Sequence, residues 1–161
     1  MTVAEYNQCV DQYSDNVYRF ILKNIHDDEM ANDIVQDSFL KLWDKKEDIS
    51  KDKVRSYLFT TAYHTMIDAI RKSKKTVSLN EKASQNFSCD NDYSDLKEVL
   101  NEAVDRLPEI QRTVVLLRDY EGYSYEEIGE ITGLNESQVK VYIYRARLFL
   151  KEYIGKLENV I

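Results

Sequence analysis

The residues from Ser124 to Leu150 include the side chains whose types and spacing could recognise DNA. A glutamine can hydrogen-bond to adenine through two atoms, a lysine can donate to guanine, and an apolar side chain can contact the methyl group of thymine. Cations further along the same predicted helix can bind phosphates, which fix the register without reading the sequence. The candidate DNA contacts are Ser137, Gln138, Lys140, Val141, Tyr144, Arg145 and Arg147.

The residues just before these contacts predict the turn that positions them. Ser124, followed three residues later by Glu127, has the pattern of a capping box, which begins a helix. Gly129 falls where a second helix has to cross closely, and Gly133 falls where the chain leaves the first helix with a positive φ. The second helix then begins two or three residues later and has a buried apolar stripe. The stripe consists of Val139, Ile143, Ala146 and Leu150.

Two short helices joined by a glycine turn are typical of a helix-turn-helix when the second helix is polar and basic. Such a motif places its second helix in the major groove, with the first residues of that helix at the base edges. The alternative is an ordinary helical hairpin whose basic face is merely solvated. The joint spacing of Gly129, Gly133, Leu134 and Val139 favours DNA binding.

The composition of the whole chain predicts a helical protein with two basic segments. The 161 residues include only four Gly and one Pro, and helix-forming residues are common. The formal charge is −7, but residues 51–75 carry seven Lys and Arg against two Asp and Glu, and residues 136–161 carry five against three. Two basic segments in an acidic chain indicate two separate contacts with nucleic acid.

Cysteine usage and hydropathy exclude several classes of protein. Cys9 and Cys89 lie far apart and have no His or Cys at ligand spacing, so we expect free thiols and neither a metal site nor a cofactor. The sequence has no apolar run long enough to span a bilayer and no secretory leader. We therefore expect a soluble, cytoplasmic protein without membrane insertion.

Three helices are predicted in residues 1–75. The first runs from Val3 to about Asn24, and the second follows a cap at Asp27 or Asp28. We favour a core position for Trp43, which closes the second helix. The outward face of that helix is predicted to carry Asp33, Gln36, Asp37 and Leu40.

The third predicted helix, from about Lys51 to Lys74, interleaves aromatic and basic side chains. Single-stranded DNA is bound by cations for its backbone and by flat rings for its unstacked bases. The aromatic side chains could instead only pack in the core, which we expect for Tyr57 and leave open for the others. The candidate contacts with a separated strand are Phe59, Tyr63, His64, Arg71, Lys72 and Lys75.

The helical pattern is lost in residues 76–93, which are rich in Ser, Asn and Asp and predict a flexible linker. Ser94 can then cap the first of four further helices, of which the last two form the helix-turn-helix. The sequence therefore predicts an all-α chain with two small helical domains, at residues 1–75 and 94–161.

Motifs in both halves resemble those of the extracytoplasmic-function sigma factors of bacterial RNA polymerase, a group within the sigma-70 family. The matching motifs occur in order and extend over nearly the whole chain, linker included. They lie at residues 33–43, 57–58, 67–71, 107–108, 121–128, 139–140 and 144–147.

This resemblance implies a transcription initiation factor that assists promoter melting. Residues 1–75 would be sigma region 2, a three-helix bundle that binds the polymerase clamp and opens the −10 element. Residues 94–161 would be sigma region 4, which binds the flap of the β subunit and reads the −35 element. An anti-sigma factor is the expected regulator. By the same resemblance Asp33, Gln36, Asp37 and Leu40 bind core polymerase, the third-helix candidates contact the −10 strand, and the helix-turn-helix candidates contact the −35 duplex.

Two other classes of function remain as alternatives. A helix-turn-helix regulator that does not act as a sigma subunit would explain residues 124–150, but not the aromatic and basic third helix. An enzyme is disfavoured because His26 and His64 are the only histidines and no glycine-rich phosphate loop is present.

Overall fold

A computed structural model of the chain describes residues 1–76 and 95–160, with side chains for residues 1–73 and 97–156. The described residues form helices and the turns between them, which confirms the all-α class. The predicted linker lies outside the described residues, except that Thr76 ends the third helix. The helices are α1 (Val3–Ile25), α2 (Asp28–Asp44), α3 (Val54–Thr76), α4 (Asp95–Asp105), α5 (Glu109–Val115), α6 (Tyr125–Thr132) and α7 (Glu136–Val160). A 3-10 turn at Lys51–Lys53 precedes α3, and a π-helical turn at Leu116–Tyr120 extends α5.

Helices α1, α2 and α3 pack on one another and form the first half of the molecule. A capping box at Thr2 and Glu5 begins α1, and Asp27 caps α2 by accepting a hydrogen bond from the backbone N–H of Met30 at 3.1 Å. Between them, His26 takes the left-handed conformation that ends α1. The apolar stripes of the three helices meet in a buried core, to which Val17, Ile21, Ile34, Leu42, Leu58, Ala62 and Met66 contribute.

The predicted core position of Trp43 is wrong. Its side chain is 38% exposed, meets the ring of Tyr6 edge-on at 4.9 Å, and lies under the ammonium group of Lys46 at 4.1 Å. Neighbouring residues of a helix point in directions about 100° apart, because one turn takes 3.6 residues. Since Leu42 is fully buried, Trp43 is turned to the edge of the core.

Helices α4 to α7 form the second half, with α7 as its long central element. Helix α7 packs against α4, α5 and α6 through an apolar stripe that includes Val139, Ile143 and Ala146. These positions recur at the spacing that the sequence predicts for the second helix of the helix-turn-helix.

The two halves pack against each other and share one continuous apolar core. Phe59 of α3 meets the ring of Phe20 at 5.4 Å on one side and the ring of Tyr123, which precedes α6, at 5.5 Å on the other. Arg112 of α5 donates to the side-chain oxygen of Asn24 at 3.1 Å and to its carbonyl oxygen at 3.3 Å. Polar and apolar contacts thus join the halves along α1 and α3.

Candidate nucleic-acid interface

The turn between α6 and α7 has the geometry that its sequence predicts. The Ser124 hydroxyl accepts from the Glu127 N–H at 3.1 Å, and the Glu127 carboxylate accepts from the Ser124 N–H at 2.9 Å. Gly133 ends α6 with a φ of 85°. At Gly129 an added Cβ would lie 2.7 Å from the carbonyl oxygen of Leu134, so only glycine fits without displacing the backbone of the turn.

The first residue of α7 follows an N-cap at Asn135. The Asn135 side-chain oxygen accepts from the Gln138 N–H at 2.8 Å, and the Gln138 side-chain oxygen accepts from the Asn135 N–H at 3.0 Å. Gln138 therefore holds the helix start in the free protein, and it has to give up this bond to read a base with the same oxygen. Lys140 pairs loosely with Glu136 at 3.6 Å, and both side chains are exposed.

All seven candidate DNA contacts of the second motif helix are exposed. Their apolar members include Tyr144, which is 66% exposed, and Val141, which is 44% exposed. A shallow groove in this surface is lined by Ser137, Gln138, Val141, Tyr142 and Arg145. The face opposite the buried stripe of α7 is thus free in this conformation to approach a DNA groove.

Arg147 differs from the other candidates because it already binds a carboxylate. Its guanidinium donates to both oxygens of Asp119, at 2.6 and 3.3 Å. This hydrogen bonding raises the pKa of Arg147 above its usual value. A phosphate would have to compete with Asp119 for this group.

The four residues predicted to bind polymerase lie together on α2. Asp33, Gln36 and Leu40 are exposed, with Leu40 at 62%, and Asp37 is half-buried in an ion pair with Lys41 at 3.3 Å. They line one shallow groove between α2 and α3, together with Met30, Ile34, Thr65 and Ala69. An exposed leucine amid carboxylate and amide groups provides both apolar and polar contacts to a protein partner.

The predicted strand contacts on α3 divide into exposed and buried groups. His64, Arg71 and Lys72 are exposed, and Arg71 lies 3.6 Å from Asp68. Phe59 is fully buried and Tyr63 is 7% exposed, so in this conformation both rings take the core position that the sequence left open. Phe59 packs against Tyr123 of the second half, which the sequence of α3 alone does not reveal. The side chain of Lys75 lies outside the described residues.

The structure also has a polar pocket lined by Tyr57, whose ring packs only partly on the core and not within it as predicted. The pocket lies where the chain enters α3, and its lining residues are Asp48, Ile49, Ser50, Lys53, Ser56, Tyr57 and Thr60. Lys53, Ser56, Tyr57 and Thr60 share one face of the helix, a spacing of three and four residues that could have identified them. Hydroxyl groups, a cation and an aromatic ring are the groups that bind an unstacked base.

A charged and aromatic cluster joins α3 to the chain just before α6. The Arg55 guanidinium donates to the carbonyl oxygen of Glu121 at 2.6 Å, lies 3.4 Å from its carboxylate, and stacks over the Tyr123 ring at 4.3 Å. Burial raises the pKa of the Glu121 carboxyl, and the Arg55 charge opposes this rise. Burial also raises the pKa of Tyr123 to about 12.

Comparison with known proteins supports the family assignment in both halves. Residues 9–76 match the family description Sigma-70 region 2, and residues 97–150 match Sigma-70, region 4. The chain is 30% identical over 151 residues to RNA polymerase sigma factor SigV of Bacillus subtilis, which covers 92% of this chain and 90% of SigV. It is also 30% identical over 164 residues to the ECF RNA polymerase sigma factor SigM of the same organism, covering 99% of each chain.

The chain belongs to the extracytoplasmic-function sigma factors of the sigma-70 family. It is therefore a transcription initiation factor of bacterial RNA polymerase, as the resemblance implied. The fold agrees with that of the sigma factor RpoE in its complex with the anti-sigma factor NepR from Bartonella quintana, with a TM-score of 0.80 at 23% identity over 95% of this chain and 98% of that one. Among the described residues of this sigma factor, no helix is both long and apolar enough to cross a membrane.

Proposed function

We propose that this sigma factor divides promoter recognition and polymerase binding among three surfaces. The exposed face at the start of α7 reads the −35 duplex, and the exposed part of α3 with its adjoining pocket binds the opened −10 strand. The groove between α2 and α3 binds the polymerase clamp. In this proposal, residues 1–75 and 94–161 act as separate recognition units joined by residues 76–93.

The observation that carries the proposal is the exposed face of α7. Ser137, Gln138, Lys140 and Val141 lie in its first turns, and Tyr144 and Arg145 follow one turn later. Side chains in the first turns of a recognition helix reach base edges when the helix enters the major groove. Gln138 and Lys140 supply the polar contacts, Val141 can meet a thymine methyl group, and Arg145 is placed for phosphate.

At the −10 element the proposal assigns strand capture to α3. Extruding a base from the duplex costs a few kcal/mol of unstacking, which a pocket has to recover. The pocket between Lys53 and Thr60 offers a ring, hydroxyl groups and a cation for this purpose. His64, Arg71 and Lys72 lie further along the same helix and are exposed for contact with the strand.

Polymerase binding makes these DNA contacts effective. The net charge of −7 opposes the approach of free protein to DNA, and phosphate contacts weaken as salt rises. Docking of Asp33, Gln36, Asp37 and Leu40 on the clamp, with the second half on the flap, would hold both DNA-binding faces near the promoter. Linked contacts raise the effective concentration of each face without any new interaction.

An anti-sigma factor is the regulatory partner in this proposal. The solved structures that resemble this chain include the sigma factor RpoE in complex with the anti-sigma factor NepR, and CnrH in complex with the cytosolic domain of CnrY. For this chain, the exposed polymerase-binding groove is the surface that such a regulator has to cover to prevent initiation.

Loss of the α7 contacts tests the proposal. We expect Lys140→Ala and Arg145→Ala each to weaken binding of reconstituted holoenzyme to a cognate promoter by about 1–3 kcal/mol, because each removes one DNA contact from an exposed site. The cognate promoter is first found by sequencing the transcripts that the holoenzyme makes from genomic DNA. The measurement is then run-off transcription across holoenzyme concentrations.

Lys156→Ala is the matched control, because Lys156 is exposed on the same helix. It lies about 24 Å beyond Lys140 along the helix axis, at 1.5 Å per residue. It should transcribe like the wild type. Full activity of both Lys140→Ala and Arg145→Ala on the cognate promoter would refute the assigned docking face.

A further inference from the structure

We propose that the chain between α5 and α6 acts as an intramolecular competitor of single-stranded DNA for α3. This inference rests on the proposed function of α3 and concerns a covered stripe of that helix beside the exposed strand contacts. In the closed arrangement of the two halves, Glu121 and Tyr123 occupy the place on α3 where a phosphate and a base of the −10 strand would bind.

The covered surface is one stripe of α3. Arg55, Phe59 and Tyr63 are spaced four residues apart, so they lie on the same face of the helix. Phe59 and Tyr63 are candidate strand contacts, and Arg55 is a cation beside them. In the closed form Arg55 is 32% exposed at its side chain, and the two rings are buried.

The segment that covers this stripe, residues 121–123, presents groups that resemble those of a nucleotide. Glu121 presents a carboxylate and a carbonyl oxygen to the Arg55 guanidinium, as a phosphate would. Tyr123 lies against both Arg55 and Phe59, with its ring 4.3 Å from the guanidinium and 5.5 Å from the Phe59 ring. A base stacked on an aromatic and basic platform makes the same two kinds of contact.

Parting the halves exposes Phe59 and Tyr123 of the shared apolar core, a cost that binding of polymerase and of a strand has to offset, and it also breaks polar contacts. Lys23 of α1 donates to Asn101 of α4 at 3.0 Å, His26 lies 3.3 Å from Asp105, and Arg112 binds Asn24. Water and polymerase can replace such contacts more readily than they can replace a buried apolar core. Opening would release Arg55 and Phe59 together, so that strand binding and polymerase docking favour the same open state.

Reversal of one charge in the full-length protein tests the competitor. Glu121→Arg places a second cation beside Arg55 and should separate the two halves. A compact chain of this length has a radius of gyration of about 15 Å. Small-angle X-ray scattering should show a larger value for the variant. Binding of a fluorescein-labelled single-stranded oligonucleotide of mixed sequence at low salt should tighten by about tenfold if one molecule in ten of the wild type is open.

Glu130→Arg is the matched control, because it makes the same charge change at an exposed position of α6. It should leave the radius of gyration unchanged, and its effect on oligonucleotide binding measures the contribution of net charge alone. The double variant Arg55→Glu, Glu121→Arg restores an opposite-charge pair and should return the radius of gyration towards the wild-type value. If circular dichroism shows that Glu121→Arg does not fold, Arg55→Glu tests the same contact, because Arg55 is the more exposed partner. Its readout is the radius of gyration.

Two results would overturn the proposal. One is a folded Glu121→Arg variant with an unchanged radius of gyration. The other is an opened variant that binds the oligonucleotide no better than Glu130→Arg, which would show that the segment does not cover the strand site. Neither of these measurements depends on transcription. Failure of the proposed function would instead appear as no initiation by wild-type protein with core polymerase. The two failures can therefore be told apart.

Discussion

Gln138, Lys140 and Arg147, which are predicted to contact DNA, already have partners within the protein. Gln138 caps α7, Lys140 lies beside Glu136, and Arg147 binds Asp119. Exposed ion pairs contribute about 0–1 kcal/mol to stability, so DNA can replace them at low cost. These internal partners hold the three side chains in place before DNA binds. Each partner also lowers the net free energy gained from the corresponding DNA contact.

Asp119→Asn should strengthen DNA binding, because it removes the carboxylate that competes with phosphate for Arg147. We expect the change in the free energy of unfolding to stay within about 1 kcal/mol, since both side chains of the pair are partly exposed. The salt dependence of holoenzyme binding to −35 duplex DNA should steepen by about one phosphate contact, or about 0.9 in the log–log slope. Fluorescence anisotropy across a salt series measures this.

The double variant Asp119→Asn, Arg147→Ala separates this mechanism from a simple change in net charge. Without the arginine, loss of the carboxylate should no longer steepen the salt dependence. If the steepening persists in the double variant, Asp119 does not act through Arg147.

At the scale of the element, the helix-turn-helix depends on a close approach at Gly129. Its missing Cβ leaves room for the carbonyl oxygen of Leu134 in the turn, and the same turn sets the direction of α7. Backbone cannot move aside as a flexible side chain can, so any larger residue at 129 has to displace the start of the recognition helix.

Gly129→Ala should therefore destabilise the protein by about 1–3 kcal/mol, the usual cost of overpacking. Gly155→Ala is its counterpart on α7, where an added Cβ meets nothing within 4 Å. That change should stabilise the helix by about 1 kcal/mol, because alanine loses less backbone entropy than glycine. Urea unfolding of both variants measures the two effects, and equal or same-sign shifts would contradict the packing described for the turn.

The π-helical turn at Leu116–Tyr120 is an element that periodicity did not predict. It carries Asp119 to Arg147 and leads directly into Glu121, which meets Arg55. A π turn takes one more residue than an α turn and shifts the register of the residues after it. Its position therefore decides which acidic residues face α7 and which face α3.

Across the whole molecule, charge separates the surfaces proposed to bind DNA from the surface proposed to bind polymerase. The acidic groove on α2 lies in the acidic residues 1–50, which carry five Lys and Arg against eleven Asp and Glu. The basic segments on α3 and α7 are the proposed DNA contacts. The net negative charge disfavours DNA binding by free protein and leaves promoter binding to the holoenzyme.

Asp37→Arg should weaken binding to core polymerase by at least about tenfold while leaving the fold intact, because a cation would replace an anion in the proposed clamp groove. Asp15→Arg on the exposed side of α1 gives the same net charge and is the control. Co-purification with core polymerase measures both. Equal retention by the two variants would refute the groove assignment, and equal loss would show that overall charge, rather than the groove, controls binding.

Periodicity and turn chemistry predicted most of the exposed helix faces from the sequence alone, with Trp43 as an exception. Helical periodicity identified the exposed groups Asp33, Gln36 and Leu40 on α2, and glycine chemistry identified the turn at Gly129 and Gly133. These features are local, since they depend on side-chain spacing and on the backbone conformations that glycine allows.

Which of those faces are covered depends on how the two halves pack against each other. The burial of Phe59 and the pairing of Arg55 with Glu121 depend on residues far apart in sequence. The sequence pattern of an aromatic and basic helix is the same whether its outer face contacts water, a DNA strand or the other half of its own chain. The packing of the two halves determines which of these surroundings the helix face has. The sequence does not reveal this packing, because contacts between distant residues leave no periodic pattern in either segment.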